Sequence, residues 1–143
     1  MIQNKEIHWK VRFKGSPSKV YNMLTTDDGR ALFWAESAIE SDNHIHFKFP
    51  SGIEYVSEIR EKVIDKKFRL DYFGGEVTFD ISVDINGFTI LSVFHQDVAT
   101  NEIAEVNAGW VSVLMTLKAA CEGDLDLRNH NPNYSWDQHF VGN

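Results

Sequence analysis

The chain has 143 residues, 43% of them apolar and 24% charged, and a net charge of −7 from 21 acidic and 14 basic residues. That length suits one domain able to bury most of its apolar surface. The basic residues are scattered rather than gathered in a stripe, which excludes binding to a nucleic-acid backbone and argues against anionic membranes.

The N-terminal segment MIQNKEIHWKV contains no apolar run of the signal-peptide kind. Residues 7–13, IHWKVRF, alternate strictly, with Ile7, Trp9, Val11 and Phe13 on one face, as in a half-buried strand. A helix follows in GSPSKVYNMLTT, with Ser16 as N-cap, Pro17 at the first helical position and Val20, Met23 and Leu24 on its apolar side. TTDDGRALFWA reads as a second short helix, because Asp27 and Asp28 fall near its positive end.

Between residues 37 and 97 the period changes to two. Turn signals at 42–43 (DN), 50–52 (PSG), 65–66 (DK), 74–75 (GG) and 86–87 (NG) divide this stretch into six strands. Connections this short make the six an antiparallel meander, and the first strand brings the sheet to seven. A long helix is expected over about 101–122, where Ile103, Val106, Trp110, Val113, Leu114, Leu117 and Cys121 form one apolar stripe. Glu102, Glu105, Ser112, Thr116 and Glu122 take the opposite side, and Gly123 is the candidate C-cap. The longest apolar stretch, AGWVSVLMTL, is too short to span a bilayer. Cys121 is the one cysteine, so no internal disulfide forms, and a cytoplasmic location is expected.

This order of elements predicts an α+β fold. A seven-stranded, curved antiparallel sheet wraps the long C-terminal helix, and two short helices lie between strands 1 and 2. A helix laid across a curled sheet does not fill the space near the sheet's ends, so a cavity is expected there.

The stretches SPSKVYNMLTTDDGRALFWAES, FPSGIEYVSEI, FTILSVFHQD, AGWVSVLMTLKAA and DLRNHNPNYSWDQHFVGN together cover most of the chain. They resemble the START-like (SRPBCC) helix-grip superfamily, which includes birch-pollen allergen proteins, START lipid-transfer domains and polyketide cyclases. More closely, they look like the bacterial branch related to the activator of the heat-shock-protein-ninety ATPase. The resemblance implies the helix-grip fold and a hydrophobic cavity between helix and sheet.

No catalytic signature is present: there is no P-loop, Gly-rich dinucleotide turn, HExxH or CxxC, and FGGE is a hairpin turn. Cys121 lies on the apolar stripe and reads as core. His44 and His46 share a strand face, but a metal would need a third ligand from elsewhere, and both are expected to face solvent. No metal and no cofactor are therefore expected.

The aromatic residues, 13% of the chain, are more informative. Trp34, Phe47, Tyr55, Tyr72, Phe79 and Trp110 should converge on the space between helix and sheet. There they either fill a core or wall a pocket, with the Tyr hydroxyls as fixed polar points. His95 is in register with Thr89, Leu91 and Val93 on the inward face, and Asn107 lies beside Val106 and Trp110 on the helix. Each buried polar group needs a partner, which is either the backbone or the polar end of a ligand. With Leu91 and Leu114 these residues form the candidate cavity lining.

The last twenty residues hold Tyr134, Trp136 and Phe140 among polar neighbours. Strand 88–97 carries Phe88, Ile90 and Phe94 on its outward face, and a large apolar patch of that kind is usually covered. The expectation is one domain over 1–143 whose C-terminal extension, 124–143, is ordered and packs on the outside of the sheet. A homodimer using the same patch is the alternative.

The functional expectation is a non-enzymatic binder of a small hydrophobic or amphipathic molecule held between the C-terminal helix and the sheet. A protein-interaction module of co-chaperone type is a second reading, although the chain has no room for a second domain. A cyclase- or dehydratase-type enzyme with His95 as acid or base is a third.

Overall fold

A computed structural model describes residues 1–142, so the final residue of the expected extension lies outside the described residues. The strands are β1 (Ile2–Gln3), β2 (Glu6–Phe13), β3 (Ser37–Ser41), β4 (His44–Lys48), β5 (Glu54–Val63), β6 (Lys67–Tyr72), β7 (Gly75–Val83) and β8 (Thr89–Gln96). They form one antiparallel sheet in the order β1-β2-β8-β7-β6-β5-β4-β3. Helices α1 (Pro17–Thr25) and α2 (Asp27–Ala31) lie between β2 and β3, and α3 (Ile103–Gly123) follows the sheet.

The sheet has eight strands where seven were expected. The additional one, β1, turns back through Asn4 and Lys5 (φ 51° and 62°) to pair Ile2 with Ile7. Two residues are too few to display a period, which is why alternation does not reveal this strand.

Local signals explain the rest of the framework. Ser16 accepts from the Lys19 amide at 3.2 Å, and Thr26 caps α2 by accepting from the Gly29 amide at 3.0 Å. At the other end of α3 the cap is Asp124, in the left-handed conformation at φ 50°, one residue beyond the expected Gly123. Thr116 is buried rather than on the polar side, because its hydroxyl donates to the Ser112 carbonyl at 2.8 Å and so needs no water.

The core runs along the inner face of the sheet, including Ile7, Phe13, Ile45, Phe47, Phe68, Leu70, Phe79 and Leu91, against Trp110, Leu114, Leu117 and Cys121 of α3. Burial pushes the Cys121 thiol up to about 11, consistent with a core residue rather than a nucleophile. Arg30 is fully buried at the junction of α1, α2 and β3. Its guanidinium donates to the carbonyls of Ala38 (3.0 Å) and Leu24 (3.2 Å) and to Asp27 Oδ1 (2.6 Å).

The C-terminal segment does not take its contacts from the outside of the sheet. Arg128 donates to the carbonyls of Ala35 (2.8 Å) and Ala31 (2.7 Å), and His130 lies between Glu36 (2.8 Å) and Asp126 (2.6 Å). Burial alone would raise the Asp126 carboxyl, but hydrogen bonds from Arg128 and His130 hold it well below the usual range. Trp136 then donates to Glu105 of α3 at 3.2 Å, and Tyr134 and Phe140 pack edge to face against each other.

The outer patch is covered by β2 instead. His8 stacks on Phe94 at 4.1 Å between centroids, and the Arg12 guanidinium sits 3.6 Å above the Phe88 ring. Strict alternation marks His8 and Arg12 as solvent-facing polar residues. Each side chain still spreads its flat surface over the apolar neighbour across the ladder.

Candidate ligand-binding site

A cavity of about 440 Å³ opens between the N-terminal half of α3, the β4–β5 turn, the β6–β7 turn and the C-terminal segment. Its volume lies within the range of small-molecule sites, roughly 300–1,000 Å³. It occupies one end of the space between helix and sheet, where the curl of the sheet leaves a gap. Each wall has a local cause. Trp110 faces inward because it lies on the buried stripe of α3, and Tyr72 because it shares the inward face of β6 with Phe68 and Leu70. Phe73 is held at φ 46° in the two-residue β6–β7 turn, an uncommon conformation for a bulky residue. That turn stacks its ring on Tyr55 at 4.3 Å and presents it to the cavity mouth.

Four of the ten sequence-predicted residues line this cavity: Trp34, Tyr72, His95 and Trp110. They are joined by hydrogen bonds. Trp34 Nε1 donates to the Tyr72 hydroxyl at 3.1 Å, and Trp110 Nε1 donates to His95 Nδ1 at 2.9 Å. Since Nδ1 accepts, the ring proton is on Nε2, which lies 3.2 Å from the Tyr72 carbonyl and donates to it. The network fixes the orientation of these four rings.

The other six predicted residues fall outside the lining. Phe47 and Phe79 pack behind Trp34 at 4.8 and 5.5 Å between centroids, and Leu91 and Leu114 belong to the core. Tyr55 is half-buried and donates to Asp71 at 2.8 Å. Asn107 is turned toward β2, where its Oδ1 accepts from Trp9 Nε1 (3.0 Å) and from the N-terminal ammonium (3.4 Å). One helix position is a rotation of about 100°, enough to carry Asn107 off the face shared by Val106, Gly109 and Trp110.

Sequence reasoning missed the other lining residues, among them Phe73, Gly109, Trp136 and Asp137. Gly109 lines the cavity, and a Cβ built there would meet no heavy atom within 4 Å beyond its own stretch of helix. A glycine inside an otherwise regular helical pattern was the available signal. Trp136 and Asp137 reach the mouth from the C-terminal segment, which the outward apolar patch had assigned elsewhere.

Burial lowers the His95 imidazole below its ordinary value of 6.5, opposed by the Tyr72 carbonyl. A depressed folded-state value makes its contribution to stability full above the unfolded value and lost as the pH falls through the folded one. Wild type should therefore lose stability over that acidic window relative to His95→Gln, and at neutral pH the variant should be less stable by about 1 kcal/mol. Parallel urea melts across pH check this. Parallel curves for the two proteins would refute a neutral, buried His95.

No helix among the described residues is long and apolar enough to cross a membrane. No family model matches the chain, and no curated protein matches it. Solved structures do. The Aha1 dimer from Colwellia psychrerythraea is 25% identical, with a TM-score of 0.75 over 86% of this chain and 98% of that one. A Staphylococcus saprophyticus protein is 17% identical with a TM-score of 0.72, covering 84% and 93%. A Chromobacterium violaceum protein is 20% identical with a TM-score of 0.67, covering 85% and 100%. The curved antiparallel sheet, the long C-terminal helix and these likenesses agree: the chain has the START-like helix-grip fold and is similar to the Aha1 protein of Colwellia psychrerythraea.

Proposed function

We propose that the protein binds one small hydrophobic or amphipathic molecule in the cavity beside α3 and releases it chemically unchanged, acting in the cytoplasm. The observation that carries this reading is the set of oriented rings, Trp34, Tyr72 and Trp110, around a space of about 440 Å³. Apolar walls supply affinity by removing ligand surface from water, and rings fixed in advance spend little entropy on binding. The Tyr72 hydroxyl accepts from Trp34, while its own proton meets no acceptor among the described residues, so a ligand oxygen could take it. Both nitrogens of His95 are engaged with Trp110 and Tyr72, which supports a role in positioning the wall rather than in proton transfer.

Native mass spectrometry of the purified protein, followed by denaturing analysis of what is released, tests the reading. A reproducible extra mass of a few hundred daltons is expected. The same spectrum reads a second copy of the chain, the arrangement of the Colwellia relative. An empty protein that also takes up no added apolar compound would contradict the proposal.

A further inference from the structure

The cavity has a charge pattern that narrows what it can hold. Three of its lining residues are charged, Glu102, Glu105 and Asp137, and all three are carboxylates at the exposed mouth. No lysine or arginine lines it among the described residues, and none of the three carboxylates forms an ion pair there. Glu105 accepts one hydrogen bond, from Trp136 Nε1, which leaves its second oxygen available. His95, the one other titratable side chain of the lining besides Tyr72, has both ring nitrogens occupied and presents no cation to an incoming anion.

An anionic amphiphile such as a fatty acid would therefore bring its carboxylate against three like charges with no basic side chain in the lining to offset them. Like charges at a mouth of this kind disfavour entry, and the net charge of −7 adds to the repulsion. A cationic head meets the opposite situation. It finds carboxylates at the rim and aromatic rings in the same lining, and ring faces attract ammonium groups through their quadrupoles.

The geometry points to a ligand with an apolar body and a cationic amine or quaternary ammonium end, the body against Trp34, Tyr72 and Trp110 and the cation between Glu102, Glu105 and Asp137. The assignment rests on the cavity being a binding site. It adds the chemical class of the occupant.

Three probes with the same ten-carbon tail separate the two claims: decyltrimethylammonium, decanoate and decanol. Tryptophan fluorescence reads binding, since Trp34, Trp110 and Trp136 line the cavity. At low salt the ammonium probe should bind about tenfold more tightly than decanoate, and salt should narrow the gap. In Glu102→Gln/Glu105→Gln the preference should shrink several-fold. Asp42→Asn, which removes an exposed carboxylate in the β3–β4 turn, should leave it unchanged.

Decanoate binding as tightly as the ammonium probe, or a preference untouched by the double substitution, would overturn the cationic assignment while leaving the cavity as a binding site. Decanol matching the ammonium probe in every variant would overturn it equally. Failure of all three probes to bind would overturn the binding site itself, and the assignment with it.

Discussion

Arg30→Met is expected to lower stability by about 2–5 kcal/mol, chiefly through two carbonyls left without a donor, since the ion pair with the partly exposed Asp27 adds little. Arg30 has no exposed surface, yet its planar head joins the end of α1, the start of α2 and strand β3 in one set of bonds. Methionine matches the stem but leaves the carbonyls of Leu24 and Ala38 without their donor, and each such orphan costs roughly 1–3 kcal/mol. Asp27 also loses the partner that holds it while it accepts from the Glu40 amide at 2.9 Å. Arg30→Lys should rescue little, because an ammonium cannot reproduce a fork that reaches three acceptors. Thermal melts check both variants. For a chain of this size the expected loss is on the order of 10 °C, and an unchanged midpoint for Arg30→Met would refute the structural role.

Most of the fold was legible because its signals are local and periodic. The β2 alternation, the Ser16–Pro17 helix start and the α3 stripe each appear at the expected place. What failed needed information from across the chain. Nothing in DDGRALF announces that Arg30 points inward, since a charged residue in a short polar helix ordinarily faces water. The covering of Phe88 and Phe94 by Arg12 and His8 depends on β2 lying beside β8, a pairing between strands far apart in the sequence. Without that neighbour in view, the apolar outer face points to the C-terminal aromatics as its cover.

The candidate site was legible in part for the same reason. Inward register found Trp34, Tyr72, His95 and Trp110, but register alone does not separate a ring at the cavity surface from one a layer behind it, such as Phe47 or Phe79. Asn107 failed by one helix position. Phe73 depended on a backbone conformation that its residue type does not favour.

Gly109→Phe should abolish most ligand binding without destabilising the protein. The glycine costs α3 about 1 kcal/mol of helix propensity relative to alanine, and any side chain recovers part of that. Outside its own stretch of helix no atom stands within 4 Å of the added Cβ, so the new ring can extend into the open cavity, where it competes with the ligand for the same volume. Loss of binding with unchanged or raised stability separates a filled site from a damaged fold.

The most direct test of the cavity as a binding site is a decanol titration of wild type and Gly109→Phe, read by tryptophan fluorescence. Saturable binding to wild type, weakened at least about tenfold in a variant that melts no lower, is the predicted result. Equal binding by both proteins, or none to wild type, would contradict the cavity beside α3 as the place where this protein holds its ligand.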